Sequence, residues 1–331
     1  MGLRYSSNND KQAELPPSAT ALANSCGTAP GVALRVGSCQ VFCLPGVPAE
    51  MRAMFDAAVA PWIAAHLTRG AVARRTIKLF GIGEGEADRV LSDLLAEDEA
   101  ADCVRSLHFR THFPENHVIV VARAAGEAVV AKARADAAVE ALEAEVCRRL
   151  ERFVFDREGR SFAESLLVLL RGAGARVAVA ESCTGGLVAD LLTGAAGSSA
   201  VFDLGVVAYA DRIKRELLGV PEALLAEHGA VSQACAEAMA RGVRERARAD
   251  FGVAITGVAG PGGGSLGKPV GTVHIAVADA RGVAHLRRRL PYDRARNKLG
   301  AAYVALWLLR ARLRGEPCGG DGDDPCGGRW A

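Results

Sequence analysis

An α/β fold in more than one domain is what this sequence predicts, and three observations carry the expectation. At about 100–200 residues per domain, a chain of 331 residues makes two or three domains. Half of the residues are hydrophobic and 24% are charged, the balance of a globular chain with a substantial core. Between residues 158 and 313, helical and strand patterns alternate, as they do in a layered α/β domain.

The N-terminal stretch, residues 1–70, is thin by that standard. Leu15-Pro16-Pro17 and Gly27-Thr28-Ala29-Pro30-Gly31 read as turns. Val32–Val36 and Gln40–Leu44 form a hairpin-like pair, followed by the loop Pro45-Gly46-Val47-Pro48. A helix is expected from 49 to 66, with Met51, Met54, Phe55, Val59 and Ile63 at helical spacing. Two short strands and one helix cannot close a core, so this piece is either an incomplete α/β unit or one that docks elsewhere.

Residues 71–157 read as a small α+β unit. Thr76–Phe80 is a strand, Gly81-Ile-Gly-Glu-Gly-Glu86 leads into a helix over 87–96, His117–Ala122 is a strand, and a long helix covers 128–152. Gly81-x-Gly83-x-Gly85 lacks the final spacing of a dinucleotide fingerprint. Pro114 interrupts His108, His112 and His117, so they cannot share a helical face, and a metal site is not expected.

The third unit, 158–313, runs helix 161–172, strand 176–181, helix 185–193, strand 201–209, helices near 211–218 and 221–228, and helix 232–247. Strand 251–256, a glycine-rich loop over 257–267, strands 270–278 and 283–290 and helix 294–313 complete it. The tail, 314–331, is low in complexity and is expected to be disordered.

Composition narrows the function classes. A net charge of +2 and 5% aromatic residues give neither the electrostatics nor the stacking platforms of a nucleic-acid binder. The first ten residues hold no apolar targeting core, and no run reaches the roughly 18 apolar residues of a membrane helix. Nine cysteines without zinc-type spacing fit reduced thiols, so a cytoplasmic protein is expected.

Three strand ends of the third unit carry chemistry that a parallel sheet would bring to one edge. The first is Glu181-Ser182-Cys183-Thr184, after an apolar run and before Gly185-Gly186. The second is Tyr209-Ala-Asp-Arg-Ile-Lys214, and the third is Thr256-Gly-Val-Ala-Gly-Pro-Gly-Gly-Gly264. A serine hydroxyl must lose its proton to act as a nucleophile, and a desolvated lysine can take it. Ser182 and Lys214 therefore form a rational dyad, set against the plainer reading of Lys214 as a solvated helix residue. The glycine loop offers backbone N–H groups to a phosphate or oxyanion. Its Gly262-x4-Gly267-Lys268 segment is followed by Pro269, which excludes a nucleotide-triphosphate loop. Arg294, Arg296 and Lys298 open the last helix, where a bound anion would offset the unfavourable dipole.

Taken together, several segments of this third unit resemble the C-terminal domain of the CinA competence/damage-inducible family. They are Ala180-Glu-Ser-Cys-Thr-Gly-Gly186, Gly197-Ser-Ser-Ala200, Tyr209-x4-Lys214, Leu218-Gly-Val-Pro221, His228-Gly-Ala-Val-Ser232, Ile255-Thr-Gly-Val-Ala-Gly-Pro-Gly-Gly-Gly-Ser265 and Lys268-Pro-Val-Gly-Thr-Val273. The resemblance implies a three-layer α/β/α deamidase domain that hydrolyses nicotinamide mononucleotide to nicotinic acid mononucleotide and ammonia, in pyridine nucleotide salvage. It implies Ser182 as nucleophile, Lys214 as base, and Tyr209 and Thr256 as active-site partners. The N–H groups of Thr184, Gly185 and Gly186 become candidate oxyanion donors. Gly257, Gly260, Gly262, Gly263 and Arg294 become candidates for the substrate phosphate. No metal or cofactor is implied; the expected partner is this small molecule, with neither nucleic acid nor membrane, and self-association into a homo-oligomer. Ala210 and Asp211 stand where the family often has Ser and Asn, and Lys298 where a second arginine is usual.

Lys11-Gln-Ala, Leu15-Pro, Gly27-Thr-Ala-Pro-Gly31 and Leu44-Pro-Gly-Val-Pro-x-Glu-Met51 resemble the second half of the family's molybdopterin-binding-like N-terminal domain. Residues 1–70 are thus expected to be a truncated remnant lacking the ADP-ribose pyrophosphatase activity of that domain. Residues 71–157 resemble the family's middle domain.

Overall fold

The structure, a computed structural model, describes residues 14–66, 70–95, 103–316 and 318. The expected tail beyond 318, the end of the 87–96 helix and the Lys11-Gln-Ala motif lie outside the described residues. The chain divides into two compact units, residues 1–71 with 123–134 and residues 72–122 with 135–331.

The first unit holds strands β1 (Thr20–Leu22), β2 (Gly31–Val36) and β3 (Cys39–Cys43) in an antiparallel sheet ordered β1-β2-β3. The expected single helix is two α segments, α1 (Pro48–Met54) and α2 (Ala60–His66), joined by a π turn over Phe55–Val59. Trp62 packs edge-on against Phe42 and stacks on His66. Among the described residues before Gly70, Met54 and Val59 alone are buried hydrophobics.

Next along the chain come β4 (Gly70–Phe80), α3 (Glu84–Leu91), β5 (Cys103–His112), β6 (Glu115–Ala125), α4 (Ala128–Arg149) and β7 (Val154–Asp156), which belong to the second unit except for residues 70–71, the end of β6 and the start of α4. These four strands form a sheet ordered β5-β6-β4-β7. The sequence reading missed β5 and β7. His108 and His112 lie on β5 rather than on a helix, and His117 on β6 pairs with Glu115 at 2.8 Å.

The layered domain then follows: α5 (Phe162–Gly172), β8 (Val177–Glu181), α6 (Leu187–Thr193), β9 (Phe202–Val207), α7 (Asp211–Leu218), α8 (Glu222–His228) and α9 (Gln233–Ala247). It ends with β10 (Phe251–Gly257), β11 (Thr272–Asp279), β12 (Gly282–Arg289) and α10 (Arg294–Arg314). Its sheet is ordered β12-β11-β10-β8-β9; β8 is parallel to β9 and β10, and the last hairpin is antiparallel. All five residues of β8 are buried because both sheet faces are covered. Val177 and Val179, with Val253 and Ile255, face the cluster built by Phe162, Leu166, Val188 and Leu308. Ala178, Ala180 and Ala254 face Met239, Ala240 and Val243. Alternation along a strand therefore splits valine to one layer and alanine to the other. Ser161 and Glu164 close a reciprocal capping box on α5.

From β8 the chain crosses through α6 to β9, then returns through α7, α8 and α9 on the opposite face to β10. The strand order reverses between β8 and β10, and such a reversal opens a crevice beyond the strand ends. Ser182 lies there.

Candidate active site

The exit of β8 is fixed from both sides. Ser182 N–H donates to Ile255 O of β10 at 2.9 Å, and Ala208 N–H donates to Glu181 O at 2.8 Å. Ser182 is 8% exposed. Gly185 and Gly186 have φ of +64° and +97°, left-handed values at which a side chain would be strained, and through them the chain folds back into α6.

Glu181 governs this turn. Its carboxylate, buried at the end of β8, accepts from Gly186 N–H at 3.0 Å, Val188 N–H at 3.1 Å and Ala189 N–H at 2.9 Å. A negative cap suits the positive end of a helix. Two of the expected oxyanion donors are consequently committed, since Gly186 serves Glu181 and Gly185 N–H donates to Ser182 O at 3.2 Å. Thr184 N–H takes no acceptor among the described residues and is the remaining donor of that set. Thr184 is not the helix cap: its Oγ1 is buried without a hydrogen-bond partner.

Lys214 lies in the first turns of α7 and is 1% exposed. Its Nζ donates to Tyr209 O at 3.0 Å and to Asp211 Oδ1 at 3.2 Å. The plain expectation of a solvated lysine is therefore wrong. No hydrogen bond joins Lys214 Nζ to Ser182 Oγ among the described residues. Tyr209 contributes its carbonyl, while its side chain belongs to an exposed residue. Thr256, 1% exposed, donates its hydroxyl to Ala230 O at 2.7 Å and so ties the segment before α9 to the end of β10.

On the other side, Arg294 Nη1 donates to Gly260 O at 2.7 Å. Buried Asn297 donates to Ala259 O at 3.1 Å and to Tyr292 O at 2.8 Å, anchoring the glycine loop to α10. A Cβ built on Gly257 would meet Thr272 O at 2.6 Å, so that glycine permits a close backbone approach. Gly262 and Gly263 sit in the exposed part of the loop. Arg296 turns instead to the Phe113 ring. Lys298 reaches the serine turn: a Cβ built on Gly185 would lie 3.7 Å from its Nζ.

Burial pushes the Cys183 thiol up to about 12; Glu181 adds to this, and Arg294 and Lys298 oppose it. Burial likewise pushes Cys235 up to about 11, with Lys214 and Lys268 opposing. Both thiols stay protonated near neutrality, which makes Cys183 a poor nucleophile beside Ser182. The sequence reading missed Glu181 as a cap and Asn297 as an anchor. An acid closing an apolar strand five residues before Gly186 was the available signal for the cap.

A mixed sheet between two helical layers, with a hydroxyl at the strand reversal and cations on the facing helix, defines a three-layer α/β/α domain with a candidate small-molecule crevice. This chain belongs to the CinA family. Residues 159–313 match the CinA C-terminal domain. The chain is 45% identical over 314 residues to a CinA-like protein of Anaeromyxobacter sp. (strain Fw109-5), covering 95% of this chain and 74% of that protein. A CinA-like protein of Syntrophus aciditrophicus (strain SB) is 40% identical over 315 residues, covering 94% and 73% respectively. The crystal structure of the competence/damage inducible protein CihA from Agrobacterium tumefaciens is 45% identical, covering 47% of this chain and 97% of that one, with a TM-score of 0.45. No helix among the described residues is long and apolar enough to cross a membrane.

Proposed function

We propose that this chain hydrolyses the carboxamide of nicotinamide mononucleotide, releasing ammonia and nicotinic acid mononucleotide. The observation that carries the reading is the buried lysine. Lys214 is withdrawn from water on the helix that follows the strand beside Ser182, with Arg294 and Lys298 on the far side of the serine turn. Membership of the CinA family supports the same reaction.

The chemistry follows from those groups. Lys214, as the neutral amine, takes the proton of Ser182 Oγ while the oxygen attacks the carboxamide carbon. The oxyanion draws on the Thr184 N–H. As the C–N bond breaks, the lysine proton passes to the leaving nitrogen and ammonia departs. Water, deprotonated by the same amine, then attacks the ester; the product acid leaves and Ser182 Oγ regains a proton. Arg294 and Lys298 pair with the substrate phosphate. The hydrogen bonds of Lys214 to Tyr209 O and Asp211 must be exchanged for one to Ser182 when substrate binds, since catalytic contacts commonly tighten only in the complex.

The same Lys214–Asp211 contact favours a second reading, a non-catalytic binding protein whose lysine is a structural cation. Ammonia release from nicotinamide mononucleotide by the wild type, Ser182→Ala, Lys214→Met and Cys183→Ala separates the two. Hydrolysis predicts losses of at least about 1,000-fold for the first two variants and little loss for the third. A wild-type rate at background supports the binding protein instead.

A further inference from the structure

The other end of α10 carries a second concentration of positive charge. A cavity of about 560 Å³ opens between the end of α4, the segment after β7 and the last turns of α10. Arg148, Arg157, Arg160, Arg310 and Arg314 line it, together with the acids Glu151, Asp156 and Glu158. Sixteen residues of helix, roughly 24 Å at 1.5 Å per residue, separate Arg310 from Arg294. The cavity is therefore distinct from the candidate active site.

Arg310 is the unusual member. It is 5% exposed, donates from Nη2 to Val154 O at 2.9 Å, and has no carboxylate partner among the described residues. Burial pushes its pKa down, the charge of Arg314 pushes the same way, and that of Glu316 opposes them. Asp156 is the carboxylate buried nearby, but its own loop has claimed it. Its Oδ2 accepts from Glu158 N–H at 2.9 Å and Arg160 N–H at 2.8 Å, and its Oδ1 from Ser165 Oγ at 2.9 Å. A buried guanidinium with no carboxylate in contact is costly, and a bound anion lowers that cost.

The remaining arginines form the rim. Arg314 pairs with Glu316 at 2.8 Å and Arg157 with Glu143 at 3.9 Å; both arginine side chains are more than two-fifths exposed. Exposed pairs of this kind contribute about 0–1 kcal/mol and are readily exchanged for a ligand. The α4 fork of Arg148 is held by both oxygens of Glu145; the forks arriving from the loop and α10 suit a small anion with several oxygens pointing in different directions. The volume falls in the range of small-molecule pockets, about 300–1,000 Å³.

We infer that the cavity between α4, the loop after β7 and the end of α10 binds a small anion bearing more than one phosphoryl group, with Arg310 at its base and Arg157 and Arg314 at its rim. The test is calorimetric titration of the full chain with inorganic pyrophosphate, alongside Arg294→Ala, Arg310→Met and the double variant Arg157→Ala/Arg314→Ala. A parallel titration uses citrate. Saturable pyrophosphate binding is expected in the wild type, within about twofold in Arg294→Ala. It should weaken at least about tenfold in the rim double variant and more in Arg310→Met. Far-UV circular dichroism checks that each variant is folded. If Arg310→Met does not fold, the exposed rim variant decides alone. Absence of saturable binding overturns the inference, as does binding lost in Arg294→Ala but kept in the rim variant. Citrate binding as tightly as pyrophosphate overturns the phosphoryl class.

Discussion

Replacing Glu181 with Gln should destabilise the layered domain far more than a conservative exchange normally does. The carboxylate holds three buried backbone N–H groups, those of Gly186 and Val188 on one oxygen and that of Ala189 on the other. A Gln oxygen can keep the first two, but as bonds to a neutral acceptor. Its NH2 then faces the Ala189 N–H, donor against donor. A lost bond to a charged group is worth about 1.5–3 kcal/mol, and a weakened charge-assisted bond loses about half its strength. The sum is about 3–6 kcal/mol, a large share of the 5–15 kcal/mol typical of a domain. Urea unfolding followed by Trp307 fluorescence, in a background where Trp62 and Trp330 are Phe, reads the loss in the domain that contains α10. Trp307 is 4% exposed in that core. A loss below about 0.5 kcal/mol at unchanged slope would refute the capping role. Faster hydrogen exchange at the Val188 and Ala189 amides should accompany the loss.

Other outcomes follow from the same geometry. Arg294→Ala should raise KM for nicotinamide mononucleotide about tenfold or more with a smaller effect on kcat; steady-state kinetics check this. Thr256→Val keeps the shape but removes the hydroxyl that donates to Ala230 O, so urea unfolding should reveal a loss of about 1–2 kcal/mol. With its thiol pushed up to about 12, Cys183 should resist iodoacetamide at pH 8 while exposed Cys26, Cys39 and Cys43 react; peptide mapping tells them apart. Burial of Asp279 opposes its ionisation, but bonds from Arg281 and Arg312 outweigh that, and its carboxyl lies below the ordinary 3.8. A depressed carboxyl contributes stability above its unfolded value and loses it as pH falls through the folded one. Asp279→Asn should therefore flatten the decline in stability below pH 3.8, measured by urea unfolding across the acid range.

Legibility followed burial. β8 and β10 are apolar runs covered on both faces, and such runs declare themselves in sequence. The turn glycines were readable for the same local reason. β5 was not. Its sequence, Cys-Val-Arg-Ser-Leu-His-Phe-Arg-Thr-His, mixes partly buried and exposed positions along a sheet edge, and β7 is three residues long. Lys214 stood out by its place after a strand end, but nothing local marks a lysine as buried, and its contact with Asp211 has no signature along the chain. The bond from Tyr303 to Glu115 spans 188 positions; contacts at that separation hold β6 to α10 and have no signature along the chain. That Gly186 N–H is already engaged was not legible for a related reason: Glu181 read as the end of a strand, whereas its side chain turns forward onto the helix that begins six residues later.

Amide hydrolysis by this site requires Ser182 to carry the acyl group released from the amide. Mixing enzyme with nicotinamide mononucleotide, quenching in acid during turnover and mapping peptides by mass spectrometry tests this directly. An ester on the peptide containing Ser182 is expected to form in the wild type and to be absent in Ser182→Ala. An adduct on Cys183, or undiminished ammonia release from Ser182→Ala, would contradict it.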